Sequence, residues 1–282
     1  MKKFWIILLA SFFTVLHCSE TFSQVQFGVP KKLSSSILRI SGFEDYYPLG
    51  RTTSGYYEGL FDEFLLEFRT FANFGAQIYK DNSYIETIRK GAKGRTDIIL
   101  GIYPDTSIYE DYKFIYPAAI ENPVHLVMLP SRIGEIKKIS DLKNLKGAID
   151  SREYWSDFVS DQMDELNIEK VDNSYDLYGK LMRGEVDYIF TTYWYGMIEM
   201  MKLGVKDSVS ISRKSIWSMP VFIGISKISL EREYLSHNLT QWLNRQEVRD
   251  KIKARAIAIL RQVEEETRGT VPPSYTLNNQ NI

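Results

Sequence analysis

Asn82-Ser83-Tyr84 through Gly94-Arg95-Thr96-Asp97-Ile98-Ile99-Leu100 returns later in the chain as Asn173-Ser174-Tyr175 through Gly184-Glu185-Val186-Asp187-Tyr188-Ile189-Phe190. The two Gly-x-x-Asp turns lie 184 − 94 = 90 positions apart, and each joins a helix-patterned segment to a short apolar run. The pattern predicts one αβ unit used twice: an amphipathic helix stopped by glycine, an Asp that bonds its own backbone in the turn, and a fully buried strand. This spacing is too wide for a solenoid repeat. It suits two similar α/β lobes facing each other across a cleft.

Outward from the repeats, the chain order fills in the lobes. A strand is expected at Ile37-Leu38-Arg39-Ile40-Ser41, running into a Gly- and Pro-bearing loop through Pro48-Leu49. Such a loop, at the carboxyl end of a strand, is where open α/β sheets bind ligands. A helix is expected from Gly59 to Phe74, with Leu60, Phe64, Leu65, Phe68 and Phe71 on its apolar face. A strand at Ala76–Tyr79 and the first repeat complete βαβαβ up to Gly101. Asp111–Pro117 leads into Val124–Met128, the outward crossing between lobes, and Met219–Ile225 is the return crossing. Ile139–Asp150 reads as a capped helical turn and a strand opening the second lobe, and the helices from Leu230 to Glu266 return to the first. The lobes are then 36–119 with 220–268, and 120–219, followed by a tail at 269–282. Two crossings make a hinge of few residues, as domain closure on a ligand requires.

Composition and the N-terminus point to export. Lys2 and Lys3 precede the apolar run Phe4–Leu16, which is short for a membrane span, and residues 1–23 read as a secretory signal cut after Ser23. A linker at 24–35 follows. An uncleaved anchor is the alternative for the run. Cys18, the one cysteine, leaves open a lipoprotein, although His17 stands where a lipobox wants a small residue. Cleavage after Ser23 leaves no cysteine, hence no disulfide and no thiol chemistry. It also removes Lys2, Lys3 and Glu20, so the net charge becomes −1 − (+1) = −2. No basic stripe is visible, which excludes nucleic acid as a partner. The 13% aromatic share, with 18 tyrosines, suits a wet cleft.

Five segments in order, LRISGFEDYYPL (38–49), GRTDIILG (94–101), EDYKFIYPAA (110–119), KKISDLKNLKGAID (137–150) and RGEVDYIF (183–190), resemble the extracellular solute-binding proteins of family 3, which serve polar amino-acid ABC transporters. The resemblance covers roughly residues 36–262. It implies a type II periplasmic-binding-protein fold of two α/β lobes joined by two crossing strands, a small-molecule ligand held between them, an inner-membrane ABC permease as partner, a monomer, and no cofactor. Two departures bear on the ligand. Where the resemblance places an arginine for an α-carboxylate stands Ile108, and no arginine lies between Thr96 and Ser131. Where it places an Asp for an α-ammonium stands neutral Thr192. Each missing ion pair would contribute about 1.5–3 kcal/mol, which argues against a free α-amino acid.

The residues expected to line the cleft are aromatic and neutral. Tyr46, Tyr47, Tyr103 and Thr106 are placed on the first lobe, and Ser151, Arg152, Tyr154, Trp155, Thr192, Tyr193 and Trp194 on the second. Arg152, read as beginning a helix, is a candidate anion site or else a surface residue between Asp150 and Glu153. His125 and His237 have no partner at metal-ligand spacing, and no nucleophile or phosphate-loop motif occurs. Glu44, Asp45 and Asp105 are the acids that an enzyme of the dehydratase type on this scaffold would use. The expectation is a binding protein, with that enzyme or a signalling or accessory protein as alternatives.

Overall fold

The computed structural model describes residues 37–42, 46–53, 56–79, 83–136 and 138–275. The signal segment with Cys18, the linker at 24–35, and the loop acids Glu44 and Asp45 lie outside the described residues. The strands and helices, in chain order, are β1 (Leu38–Gly42), β2 (Arg51–Thr53), β3 (Tyr56–Glu58), α1 (Leu60–Ala72), β4 (Ala76–Tyr79), α2 (Tyr84–Ala92), β5 (Ile98–Ile102) and β6 (Tyr112–Met128). They continue as β7 (Lys146–Asp150), α3 (Asp157–Met163), β8 (Asn167–Val171), α4 (Ser174–Met182), β9 (Tyr188–Thr192), α5 (Tyr193–Lys202), β10 (Ser210–Ile211), β11 (Trp217–Ser226), α6 (Arg232–Leu243) and α7 (Gln246–Glu266).

The two repeat units close in the same way. Ser83 Oγ caps α2 by accepting from Glu86 N, and Asn173 Oδ1 caps α4 by accepting from Asp176 N. Both helices stop at glycines in the left-handed region, Gly94 at φ 65° and Gly184 at φ 73°, where a side chain would be strained. The caps are 173 − 83 = 90 positions apart, the same as the glycines, so Ser83 corresponds to Asn173. The written match of Asn-Ser-Tyr to Asn-Ser-Tyr is therefore one residue out of step, because either Ser or Asn satisfies an N-cap. The aspartates also act differently from expectation. Asp97 N donates to Arg39 O (2.8 Å) while its carboxylate accepts from Arg39 N (2.9 Å). Asp187 N donates to Lys146 O (2.7 Å) while its carboxylate accepts from Lys146 N (2.8 Å). Each aspartate pins the strand that follows it to a neighbouring parallel strand, β5 to β1 and β9 to β7.

Parallel pairs β4-β1-β5 and β9-β7-β8 are joined through antiparallel β11 and β6 into one sheet of order β4-β1-β5-β11-β6-β9-β7-β8, with β10 alongside β6 and a separate β2-β3 hairpin. The expected outward crossing is a single 17-residue strand, β6, and its antiparallel partner β11 is the return. These two strands carry the chain from one half of the sheet to the other. On α1 the apolar face is Leu60, Phe61, Phe64, Leu65 and Phe68. Phe71, assigned to that face from sequence, is 40% exposed and lies under the Arg245 guanidinium, because α1 ends at Ala72 and Asn73 turns away at φ 48°.

The last helix departs most from expectation. Lys251 and Arg255 of α7 pair with Glu67 and Glu63 of α1, while Ile259 and Val263 pack with Ile198 and Met201 of α5 and with Tyr47. Lys206 pairs with Glu264 nearby. The helix therefore bears on both halves of the molecule, where the sequence reading returned it to the first alone. Tyr275 beyond it rests near Tyr175 on α4, with ring centroids 5.6 Å apart.

Candidate functional site

The carboxyl ends of β1 and β5 in one half face those of β7 and β9 in the other, which brings the loops after these strands together. Tyr46, after β1, is buried; its hydroxyl is 3.1 Å from Thr192 Oγ1 at the end of β9, and its ring stacks on Tyr195 of α5 at 5.4 Å. Tyr103, after β5, stacks on Tyr154 from the loop after β7 at 5.0 Å, and Tyr84 leans on the same ring at 4.4 Å. Thr106 donates through Oγ1 to Asp157 Oδ2 (2.8 Å), and Asp157 N donates to Asp105 Oδ1 (3.1 Å). Of the expected residues, Tyr46, Tyr103, Thr106, Tyr154 and Thr192 thus come together at the junction.

Others are committed elsewhere. Tyr47 packs among Ile198, Met201, Ile259 and Val263, with the Arg51 guanidinium 4.1 Å over its ring. Ser151 is exposed and donates to Asp172 (3.1 Å). Trp194 is buried in the main core and its indole N–H donates to Glu121 O (2.9 Å); Tyr193 lies against His125 at 5.4 Å. Trp155 packs against the main core, with its Nε1 buried and unpartnered among the described residues. Ile108 packs with Ile99, Ile102, Phe114 and Phe222. It presents no charge, as expected, and its side chain belongs to that core.

Arg152 does not begin a helix. It sits in a turn, five residues before α3 starts at Asp157. Its guanidinium grips Asp150 in a two-point pair, Nε to Oδ1 at 3.0 Å and an Nη to Oδ2 at 2.7 Å, and also donates to Ser174 Oγ and Tyr195 OH. Burial alone would raise the Asp150 carboxyl, but the Arg152 bonds outweigh it and hold it below the usual range. The one cation of the loop is thereby neutralised within its own half.

Two residues that sequence reasoning did not select stand at the centre. Glu153 is 4% exposed; its carboxyl accepts from Thr191 Oγ1 (2.5 Å) and from Thr192 N (2.9 Å). Burial pushes it up to about 8 against the pull of those bonds, with the Asp150 charge adding to the rise. Asn122, on β6, is 1% exposed and donates through Nδ2 to Tyr103 OH (2.9 Å). The Tyr103 hydroxyl is in turn bonded with Tyr46. A line of hydrogen bonds therefore runs Asn122, Tyr103, Tyr46, Thr192, Glu153 across the junction. Asp105 is also raised, to about 6, by burial and then by the charge of Asp157, against the bond from Asp157 N. The available signal was positional: Glu153 lies three residues after the end of β7, and Thr192 is the last residue of β9. Among the described residues no helix is long and apolar enough to cross a membrane, and no group of three or more His, Cys, Asp and Glu side chains is placed to hold a metal.

Solved structures share this fold. The GluR0 ligand-binding core in complex with L-glutamate superposes with a TM-score of 0.64 at 12% identity, covering 79% of this chain and 99% of that one. The chain has the two-lobed type II periplasmic-binding-protein fold. The same fold is seen in the amino-acid ABC transporter substrate-binding protein AbpA from Streptococcus pneumoniae bound to L-arginine (TM-score 0.61, 12% identity, 80% of this chain and 95% of that one). It is seen again in the ancestral amino-acid-binding protein AncCDT-1, a precursor of cyclohexadienyl dehydratase (TM-score 0.59, 16% identity, 77% of this chain and 93% of that one). No protein-family model matches the chain, and no curated protein matches it. In this fold the junction just described lies between the two lobes, and its lining is a tyrosine-rich, hydrogen-bonded surface whose acids Asp105, Asp157 and Glu153 have no cationic partner among the described residues.

Proposed function

We propose that this chain is an exported binding protein that captures a small polar ligand between two lobes, residues 36–119 with 220–268 and residues 120–219, and delivers it to an inner-membrane ABC permease. The supporting observation is the meeting of strand-end side chains across the cleft, Tyr46 on Thr192 and Tyr103 on Tyr154. Paired aromatic faces with a few convergent polar groups are what a ligand platform in this fold offers. Solved structures of the fold include a transporter's substrate-binding protein, which supports the transport role.

The ligand is not an ordinary amino acid. Ile108 and Thr192 offer no ion pair to a zwitterion, and Arg152 is already spent on Asp150. Calorimetry should therefore detect none of the twenty free amino acids binding at tens of micromolar, an affinity that would require about −6 to −7 kcal/mol. Binding of any of them in that range would refute this reading of the anchors. A thermal-shift screen over a metabolite library then finds the ligand, since a compound that binds only the folded state raises the melting temperature.

The signal reading of residues 1–23 predicts that the exported protein starts near Gln24 and lacks Cys18. Intact-mass measurement of periplasmic material decides it; a lipid-bearing Cys18 would establish a membrane-tethered form instead.

A second reading has one observation in its favour. Asp105 and Glu153 are buried acids raised towards neutrality, as proton-transfer catalysis uses, and a precursor of a dehydratase is among the structures sharing the fold. Turnover of a compound found in the screen, rather than stoichiometric binding, would establish that enzyme.

A further inference from the structure

Glu153 is a buried cleft acid whose charge the protein leaves unanswered among the described residues. Its oxygens accept from two uncharged donors, Thr191 Oγ1 and Thr192 N, and among the described residues no lysine, arginine or histidine pairs with it. The neighbouring Arg152 is bound on two points to Asp150, whose side chain is fully buried. The other groups whose charges reach Glu153 are Asp150 itself and the phenols of Tyr46, Tyr103, Tyr178 and Tyr195. All of these phenols are raised by burial and stay neutral. None of these groups supplies a positive charge, beyond the Arg152 guanidinium that cancels Asp150.

Further along the hydrogen-bonded line from Glu153 is a second unmet acceptor. Asn122 spends Nδ2 on Tyr103, but its Oδ1 is buried without a partner among the described residues. A buried polar atom left unpaired is costly unless something else pairs it. Beside it, Tyr84, Tyr103 and Tyr154 present clustered ring faces, and ring faces attract cations.

Resting on the reading that the two lobes close on a ligand, we propose that this ligand is a small organic cation, an amine or guanidine carrying no carboxylate, whose charge is met by the Glu153 carboxylate and whose further N–H donor reaches Asn122 Oδ1. A carboxylate on the same molecule would find, among the described residues of the cleft loops, no cation that is not already paired and would sit against Glu153. This separates the ligand from the amino acids named with the solved structures of the fold.

A proton accompanies binding. Burial holds the free Glu153 carboxyl near 8, so at pH 7 it is mostly protonated, and an arriving cation drives that proton into solvent. Asp150 is already ionised and the facing tyrosines are neutral throughout, so Glu153 undergoes the largest charge change between pH 6 and 9 among the groups facing the cation. Asp105, raised to about 6 by burial and lying near Tyr84 and Tyr103, is half ionised at pH 6 and adds the remainder of its charge in the same direction. The ionised fraction of Glu153 rises about 50-fold or more from pH 6 to pH 9, and the affinity for a permanently charged guanidine rises with it.

The test uses molecules that differ only by a carboxylate: agmatine against arginine, tyramine against tyrosine, histamine against histidine, putrescine against ornithine. Each is titrated calorimetrically at pH 7 in phosphate and in Tris, whose ionisation heats differ. At least one amine should bind ten-fold or more tightly than its amino-acid parent and release close to one proton. Glu153→Gln should weaken that amine ten-fold or more and abolish the proton release. Should the variant fail to fold, proton release by the parent protein decides alone. Tighter binding of the amino-acid parents, unchanged binding by Glu153→Gln, absence of proton release, or no binding by any amine would overturn the assignment. If the wider screen finds a neutral or anionic compound, the cation fails while ligand capture stands; if no compound stabilises the protein, capture fails with it.

Discussion

Raising the pH from 6.5 to 8.5 should lower the melting temperature of this protein, and Glu153→Gln should remove most of that loss. The folded-state carboxyl titrates at about 8, while the unfolded side chain titrates near its ordinary 4.5. Because the folded state holds the proton more tightly, this group's contribution is fully present below 4.5 and is lost as pH rises through about 8. The difference, 8 − 4.5 = 3.5, corresponds to about 5 kcal/mol over the whole range, of which about 2 kcal/mol falls between pH 6.5 and 8.5. For a chain of this size that is a fall of roughly 4–8 °C. Other shifted groups act outside this window. Asp97, Asp150 and Asp187 are held low by their arginine and backbone partners despite burial, so their contributions fade only in acid. His125 is lowered by burial, and its effect is confined to below its ordinary 6.5. Asp105, raised to about 6, adds in the same direction as Glu153. Thermal melts at pH 6.5, 7.5 and 8.5 read the slope directly. A flat or rising profile would mean that Glu153 is ionised with a cationic partner in the folded protein.

Truncating Tyr47 should unfold more than it unbinds. Placed on the cleft from sequence, Tyr47→Ala would cost affinity and leave folding alone. In the structure its ring fills the space between α5 and α7 against Ile198, Met201, Ile259 and Val263. Removing a buried aromatic ring from such a site costs about 3–5 kcal/mol in lost transfer energy and cavity, or roughly 8 °C or more of melting temperature. Trp194→Ala should behave likewise, since its ring is buried in the main core and its N–H satisfies Glu121 O. Denaturant midpoints of both variants check this. A Tyr47→Ala protein as stable as its parent would show that the α5–α7 contact does not hold the molecule together.

The parts of this fold that were legible in the sequence are those set by local rules. The glycines that end α2 and α4 must be left-handed, and the apolar runs after them must be buried, so position and type could be read together. Where two residue types serve one purpose, the letters misled: Ser83 and Asn173 are equivalent caps although a different alignment matches more characters. Phe61 and Phe71 are both compatible with the helical period near the edges of the stripe, and in the folded protein Phe61 is buried while Phe71, in the last turn, is 40% exposed. Glu153 was illegible for a different reason. Flanked by Arg152 and Tyr154 it reads as a solvated acid, and nothing local reports that Arg152 would turn back to Asp150 and leave it uncompensated. Tyr46 and Tyr47 are adjacent in sequence and both touch α5, yet one stacks on Tyr195 at its start while the other is enclosed between its later turns and α7, a distinction set more than a hundred residues away.

The reach of α7 has a consequence for timing. Two strands alone would form a simple hinge, free to swing about one line. A helix anchored on α1 at one end and on α5 at the other adds a third attachment on a different side, and such a linkage cannot swing without something letting go. The grip on the α5 side is the apolar packing of Ile259 and Val263 with Ile198, Met201 and Tyr47, joined by the Lys206–Glu264 pair, whereas the ion pairs to α1 are largely exposed. If the two lobes close on a ligand as proposed, loosening that contact should change how long the ligand stays while leaving the contacts that recognise it untouched.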